Sequence, residues 1–197
     1  MAQFPNSESY HGVMSPFWLE PVKKDVMGYK LTNVASGDII ERGTPIETNE
    51  KEKTAVVCKY AVVLKVATDK KTLTVKPGHH LKAGETVGVS GGTLTSLKIA
   101  SVSKDTIVLS AQSDAVKEGS VLVEVVTGDG GVVVKNKPNR IVTQNETITD
   151  LNATCSGAHD AIVLQNVVHY PAEYLNEETF PGSILLVGCP KIMFIYQ

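Results

Sequence analysis

The sequence predicts a mostly β protein with a small antiparallel barrel or sandwich, an extended N-terminal arm and a second β region. Its most regular stretch runs from Val75 to Val126, where short runs rich in Val, Ile and Leu alternate with polar turns that contain Gly. Closely spaced short strands of this kind are typical of antiparallel barrels and sandwiches, whereas βαβ units place a helical segment between strands.

A recurring turn phrase favours the same fold class. A charged or polar residue is followed by Gly, then by a small hydroxyl or acidic residue and an apolar pair, and the four copies centre on Gly43, Gly84, Gly119 and Gly182. Gly supplies the positive φ of the turn, and the apolar pair begins the next strand. The uneven spacing indicates a reused turn rather than a solenoid repeat. A general preference of β proteins for Gly in turns is the simpler alternative.

The first 36 residues are predicted to form an extended arm, in which Tyr29–Val34 reads as a strand. Phe17, Trp18 and Leu19 lie between Pro16 and Pro21, and the prolines prevent a regular helix there. An extended segment with aromatic anchors suits binding across the surface of another protein. The alternative is a terminal strap that folds back on its own domain.

The central region, 37–126, is predicted to form the main β domain, and a mixed-charge loop divides its first strands at Glu47–Lys53. Further strands are expected at 54–59, 60–67, 72–75, 97–102 and 105–109, with hairpin turns at 68–71, 90–93 and 102–106. A short helical turn is expected at Ser113–Glu118, capped by Ser113 or Asp114.

The remaining region, 127–197, is predicted to form a second β region that serves oligomerisation or partner contact. Thr127–Gly131 reads as a hairpin or a hinge, Thr149–Thr154 as a weak helix and Pro171–Glu178 as a short helix. The apolar run Ile192–Tyr196 ends the chain as a strand that must be covered, and we expect it to be a subunit-pairing edge.

Composition and charge exclude several classes of function. The 197 residues carry a net charge of −2 with both signs scattered, so no basic patch indicates binding to nucleic acid or an anionic membrane. The longest apolar runs are far too short to span a bilayer, and the N-terminus does not resemble a signal peptide. Cys58, Cys155 and Cys189 are predicted to be reduced thiols.

Two clusters of side chains are candidate chemical sites. Cys155 and His159 lie in the run Cys-Ser-Gly-Ala-His-Asp, but catalytic triads usually draw their members from different segments, so a Gly-centred turn is favoured over a nucleophile. His79 and His80 are adjacent, and neighbouring residues on a strand point to opposite faces, so a polar turn is favoured over a metal pair. We therefore expect no catalytic residue, cofactor or metal site.

The order of the turn and strand phrases resembles head-fibre proteins of tailed bacteriophages. The similar residues are Gly43–Ile46, Tyr60–Leu64 and Lys76–Val87, followed by strands like Leu97–Val102 and Asp105–Leu109 and a closing phrase like Glu118–Leu122. This resemblance covers roughly residues 37 to 126 and consists of turn-and-strand phrases rather than catalytic signatures.

The resemblance implies a non-enzymatic virion protein, a head fibre or auxiliary capsid protein, that decorates the outer surface of a phage capsid. Its expected partners are the major capsid protein, other copies of itself as a dimer or trimer, and other head-fibre proteins. A virion protein of this kind is expected to be synthesised in the cytoplasm of the bacterial host. Two alternatives stay open: an adhesion module that binds glycans or a host surface, and an enzyme centred on Cys155 and His159.

Overall fold

The computed structural model describes residues 23–24, 28–151, 153–164, 169–176, 183–186 and 189–195, and it confirms a mostly β protein. A single turn of 3-10 helix, Ala172–Tyr174, accompanies the strands. In chain order, the strands of this described part are β1 (Lys23–Lys24), β2 (Tyr29–Leu31), β3 (Ile39–Ile40), β4 (Pro45–Asn49), β5 (Thr54–Val57), β6 (Tyr60–Val66), β7 (Thr72–Val75), β8 (Thr86–Val89), β9 (Leu97–Val102), β10 (Thr106–Leu109), β11 (Val121–Gly128), β12 (Gly131–Val134), β13 (Arg140–Val142), β14 (Glu146–Thr147), β15 (Thr154–Cys155), β16 (Gly157–Leu164), β17 (Leu175–Asn176), β18 (Ser183–Leu186) and β19 (Cys189–Ile195).

The central strands form an antiparallel barrel. Their order is β11-β6-β7-β10-β9-β8, and β8 pairs back onto β11, so the ring closes. Each pairing in the ring is antiparallel. Inward positions alternate with outward ones, as a strand repeat of two residues requires. The buried barrel core consists of Ala61, Val63, Leu73, Val75, Leu81, Val87, Ile99, Ile107, Leu109, Val116 and Leu122.

A second sheet of ten strands packs beside the barrel, in the order β15-β2-β5-β4-β13-β16-β19-β18-β17, with β1 also paired to β16. Only Ser156 separates β15 from β16 in the chain, so the part of this sheet from β15 to β16 curls back on itself. That curl encloses a second core of Tyr29, Leu31, Ile40, Ile46, Ala55, Val57, Val142, Ile148 and Cys155. Two pairings in this sheet, β2–β5 and β16–β19, are parallel.

The sheets divide the chain differently from the predicted boundaries at residues 36 and 126. Strands up to Val57 and from Arg140 onward share the second sheet, except that β3 and β14 pair with each other as a separate two-stranded sheet, and the barrel is built from the chain between them. Tyr29–Leu31, inside the predicted arm, is a strand of the second sheet, and Val121–Gly128 runs across residue 126. The cause is long-range strand pairing, which local periodicity does not reveal.

The C-terminal strand is not the free edge that the sequence predicted. Cys189–Ile195 has β16 on one side and β18 on the other, so both of its backbone edges are paired. Its backbone therefore pairs on both sides with strands of its own chain. Tyr196, the last residue of the predicted strand, lies outside the described residues.

Three other local predictions are wrong. Ser113–Glu118 forms bends and a turn without a helix, and Thr149–Thr154 leads directly into β15, although residue 152 is outside the described part. The predicted loop Glu47–Lys53 is shorter, because Pro45–Asn49 is a strand paired with β5. In each case non-local strand pairing, or a turn held by side-chain hydrogen bonds, outweighs weak local helix or loop preference.

Candidate functional site

A cleft of about 360 Å³ lies where the barrel meets the second sheet. It is lined by the turn Glu41–Thr44 of the second sheet, by the chain crossing Val57–Val62 and by the barrel loop Lys76–His80, together with Asn145 and His169. Its volume falls within the range of small-molecule sites. Backbone amides, imidazoles, cations and one carboxylate meet there, so its chemistry suits recognition of a polar molecule.

The turn at Gly43 forms one wall of the cleft. Gly43 has φ +82°, its N–H donates to the Val142 carbonyl at 2.7 Å, and Thr44 donates its N–H to the Glu41 carbonyl at 3.1 Å. Arg42 donates its N–H to Asn145 Oδ1 at 2.8 Å. These bonds fix the backbone, because each polar group of the turn has a defined partner.

His79 and His80 form the opposite wall and play different roles. His79 Nδ1 accepts a hydrogen bond from the Leu81 N–H at 3.1 Å, so that nitrogen carries no proton. His79 Nε2 lies 3.3 Å from the Ser103 carbonyl and donates to it, which fixes the neutral tautomer. Burial lowers the pKa of His79, in agreement with this assignment.

His80 faces the cleft in a left-handed conformation, with φ +55°. Its Nε2 is buried and has no hydrogen-bond partner among the described residues. Burial lowers the pKa of His80, so its ring is neutral near pH 7. No group of three or more His, Cys, Asp or Glu side chains in the described chain is placed to hold a metal ion.

Tyr60 lines the cleft, and two further tyrosines, Tyr170 and Tyr174, pack against it in the buried core. The Tyr60 ring lies 5.7 Å from that of Tyr170 and 6.3 Å from that of Tyr174, between centroids. The Tyr170 hydroxyl donates to the Gly43 carbonyl. Burial raises the pKa of all three phenols, so they remain neutral donors. Together they pack with buried residues of both sheets, namely Cys58, Val123, Val125, Ile141 and Ala158.

Two ion pairs, each with one buried member, lie in the barrel beside the cleft. Lys59, 5% exposed, contacts Glu85, and Glu124, 3% exposed, accepts from Lys135 Nζ at 2.8 Å. The hydrogen bond to Glu124 raises the pKa of Lys135. Buried charges require such partners, since an unpaired charge is costly to desolvate.

The Cys155–Asp160 run is not the Gly-centred turn that the sequence favoured. Thr154–Cys155 and Gly157–Leu164 are strands, and Gly157 is buried between their neighbours. A Cβ on Gly157 would lie 3.1 Å from Arg140 Cβ and 3.4 Å from Tyr29 Cε2, so Gly serves close packing there. Burial raises the pKa of the Cys155 thiol to about 12, which makes it a poor nucleophile.

The other predicted site residues are placed as follows. Gly43, Gly84 and Gly119 have φ values of +82°, +87° and +82°. Gly182 and the arm residues Phe17, Trp18 and Leu19 lie outside the described residues. His79 and His80 reach the cleft, whereas Cys155 belongs to the core of the second sheet.

The sequence patterns did not indicate the packing of Tyr60, Tyr170 and Tyr174 or the ion pairs Lys59–Glu85 and Lys135–Glu124. A charge within an apolar run was the available signal: Glu124 interrupts Val121–Val126, and Lys59 sits between Cys58 and Tyr60. A lone charge in such a run must find a partner when the strand is buried on both faces. The tyrosines, in contrast, come from segments far apart in sequence.

Comparisons with protein families, curated proteins and solved structures found no match to this chain. In the described part of the chain, no helix has both the length and the apolar character needed to cross a membrane.

Proposed function

We propose that this chain is a non-enzymatic structural protein of a tailed-phage virion that decorates the outer capsid surface. The major capsid protein is its main partner. One observation carries the proposal: the phrases that resemble head-fibre proteins are the turns that start strands β4, β8 and β11, and each contains a Gly with positive φ. These glycines of the resembling phrases therefore begin three strands. This position supports a common fold with head-fibre proteins over a general preference for Gly in turns.

The division between body and anchor also supports this role. A decoration protein needs a stable body and a separate segment that holds the capsid. The body has three buried apolar clusters, and strand Lys23–Lys24 fastens the chain to β16 just after the arm residues Phe17, Trp18 and Leu19. On this proposal, the capsid-binding arm consists of the residues that precede this pairing.

Deletion of residues 1–22 tests this assignment, because it removes the arm and keeps the pairing of Lys23–Lys24. We expect the truncated chain to melt at the same temperature as the full chain but to lose binding to capsids assembled without it, measured by co-sedimentation. A matched pair of full-length variants sharpens the test. Alanine at Phe17, Trp18 and Leu19 should abolish binding, and alanine at Ser7, Glu8 and Ser9 should not.

The two parts of the proposal fail in different ways. If the full chain does not bind capsids, decoration of the capsid is wrong. If the full chain binds and the truncated chain binds with equal occupancy, decoration stands but the anchor lies elsewhere.

A second candidate function is glycan or host-surface binding, and the cleft favours it. Glu41 and Asn145 line the cleft beside the Tyr60 ring, and carboxylate and amide groups next to an aromatic ring are suited to hydroxyl-rich ligands. Binding of the purified chain to a glycan array tests this function. We expect Glu41→Ala to reduce any signal at least tenfold and the distant Glu52→Ala to leave it unchanged; an array without signal contradicts it.

A further inference from the structure

Strands β11 and β12 form a two-stranded ribbon that extends beyond the barrel. Val125–Gly128 pairs with Gly131–Val134 across a two-residue turn. β12 ends its sheet, so one side of β12 pairs with β11 and the other side has no strand partner in the described part of the chain. Val126 and Val133 are cross-strand neighbours, 46% and 49% exposed.

The free side of β12 presents the backbone groups of Val132 and Val134. The Lys135 N–H donates to the Glu124 carbonyl of β11. Since backbone groups point alternately to the two sides of a strand, Val133 and Gly131 also face β11, while Val132 and Val134 face outward. The side chains of Val132 and Val134 pack on the core between the sheets, which leaves Val133 on the exposed face.

We propose that β12 is a self-pairing edge, where two copies of the chain join antiparallel about a twofold axis through Val133. Val132 of each copy then forms reciprocal backbone hydrogen bonds with Val134 of the other. The two Val133 side chains become a close, non-hydrogen-bonded pair, with Cα atoms about 4.5 Å apart. Val126 and Val133 of both copies form one continuous apolar strip across the joined sheets.

Charge and composition identify a second copy as the occupant. β12 contains no charge and no Pro, the usual protections of an exposed edge. β12 ends at Val134, so Asp129 lies in the hairpin turn and Lys137 in the segment that follows the strand. Both are exposed, and the twofold axis through Val133 brings the Asp129 end of each edge to the Lys137 end of the other, so we expect two ion pairs at the ends of the apolar strip. This self-complementarity is what a symmetric interface requires.

This surface is independent of the proposed function, and it takes the place of Ile192–Tyr196 as the self-pairing edge. The predicted assembly is a closed dimer, because pairing of one edge with itself consumes the only copy of that edge in each chain.

Disulfide trapping tests the register. Val133→Cys should give a covalent dimer on mild oxidation, because the two Cα atoms fall at the separation that a disulfide needs. Leu64→Cys is the matched control, since Leu64 is a barrel side chain with nearly equal exposure, 50%. All variants keep the native cysteines, so any disulfide that these cysteines form appears equally in each lane of a non-reducing gel. If Val133→Cys is trapped no more than Leu64→Cys, the proposal is wrong.

Charge exchange tests the choice of partner in solution. Light scattering of the wild-type chain should give twice its 21.1 kDa mass. Asp129→Lys or Lys137→Asp alone should weaken the dimer at least threefold, and the two together should restore it. Val133→Asp should give a monomer that keeps its β-rich circular dichroism spectrum, since Val133 lies on the exposed face. A wild-type monomer, or a larger assembly insensitive to Val133→Asp, overturns the proposal.

Discussion

At the scale of single residues, three glycines explain how strands begin in this chain. Gly43, Gly84 and Gly119 adopt φ near +85°, a region that costs an L-residue about 1–2 kcal/mol. Gly84 and Gly119 have no atom within 4 Å of an added Cβ. Backbone conformation alone therefore requires Gly at these two turns, and steric contact plays no part.

Because backbone strain acts at these two turns without steric contact, its effect on stability can be predicted. Gly84→Ala combined with Gly119→Ala should lower the free energy of unfolding by about 2–4 kcal/mol, since the sites are well separated and their strain adds. For a chain of this size that corresponds to roughly 4–16 °C in melting temperature. The measurement is a calorimetric scan.

The control pair is Gly92→Ala with Gly128→Ala, at sites that are equally open but lack a positive φ. This control variant should have a melting temperature close to that of the wild-type chain. If both pairs melt alike, the turns tolerate a side chain, and the account of the recurring phrase as a glycine-dependent strand start fails. The enzyme alternative is tested in parallel: Cys155→Ala with His159→Ala should leave capsid binding unchanged.

At the scale of elements, the short segment His169–Asn176 ties the barrel to the second sheet. Tyr170 donates its hydroxyl to the Gly43 carbonyl of the second sheet. Ala172 donates its N–H to Ser90 Oγ, and Gly91 donates its N–H to Glu173, both across the β8–β9 turn of the barrel. The segment therefore contacts both sheets through polar bonds as well as through its tyrosine rings.

The two buried hydroxyls of this segment predict unequal effects. Tyr170→Phe leaves the buried Gly43 carbonyl without its donor and should cost about 1–3 kcal/mol. Tyr174→Phe should cost less, because the Tyr174 hydroxyl lies 3.5 Å from the Lys59 carbonyl, the length of a weak bond. Chemical denaturation of both variants compares them directly. Equal losses would contradict the assignment of Tyr170 as the stronger link.

The sequence predicted elements well where the signal was local. The hairpin 68–71 and strand Thr72–Val75 follow from β-branched runs and turn residues, and the structure has both. The pairing of Tyr29–Leu31 with Thr154–Cys155 could not be predicted, because nothing local specifies a partner more than 120 residues away. The cleft depends on the same long-range pairing, so the sequence singled out Gly43, His79 and His80 among its lining residues but did not bring them together.

At the scale of the whole molecule, the barrel segment is inserted, in chain order, between two groups of strands that belong to the second sheet. Strands β2, β4 and β5 start the second sheet, the chain leaves to form the barrel from Tyr60, and β13 returns to pair with β4. Both ends of the barrel segment are therefore held by one sheet. Among the described residues, the ribbon β11–β12 extends beyond the ring of the barrel, and β12 has a side without a strand partner.

The central claim is that this body is carried on the outside of a capsid, and imaging of intact virions tests it most directly. Virions are labelled with an antibody against the purified chain and examined by electron microscopy beside virions of a deletion mutant. The account predicts label distributed over the outer surface of the head and absent from the mutant. Label confined to the tail or missing from intact particles that contain the chain would contradict it.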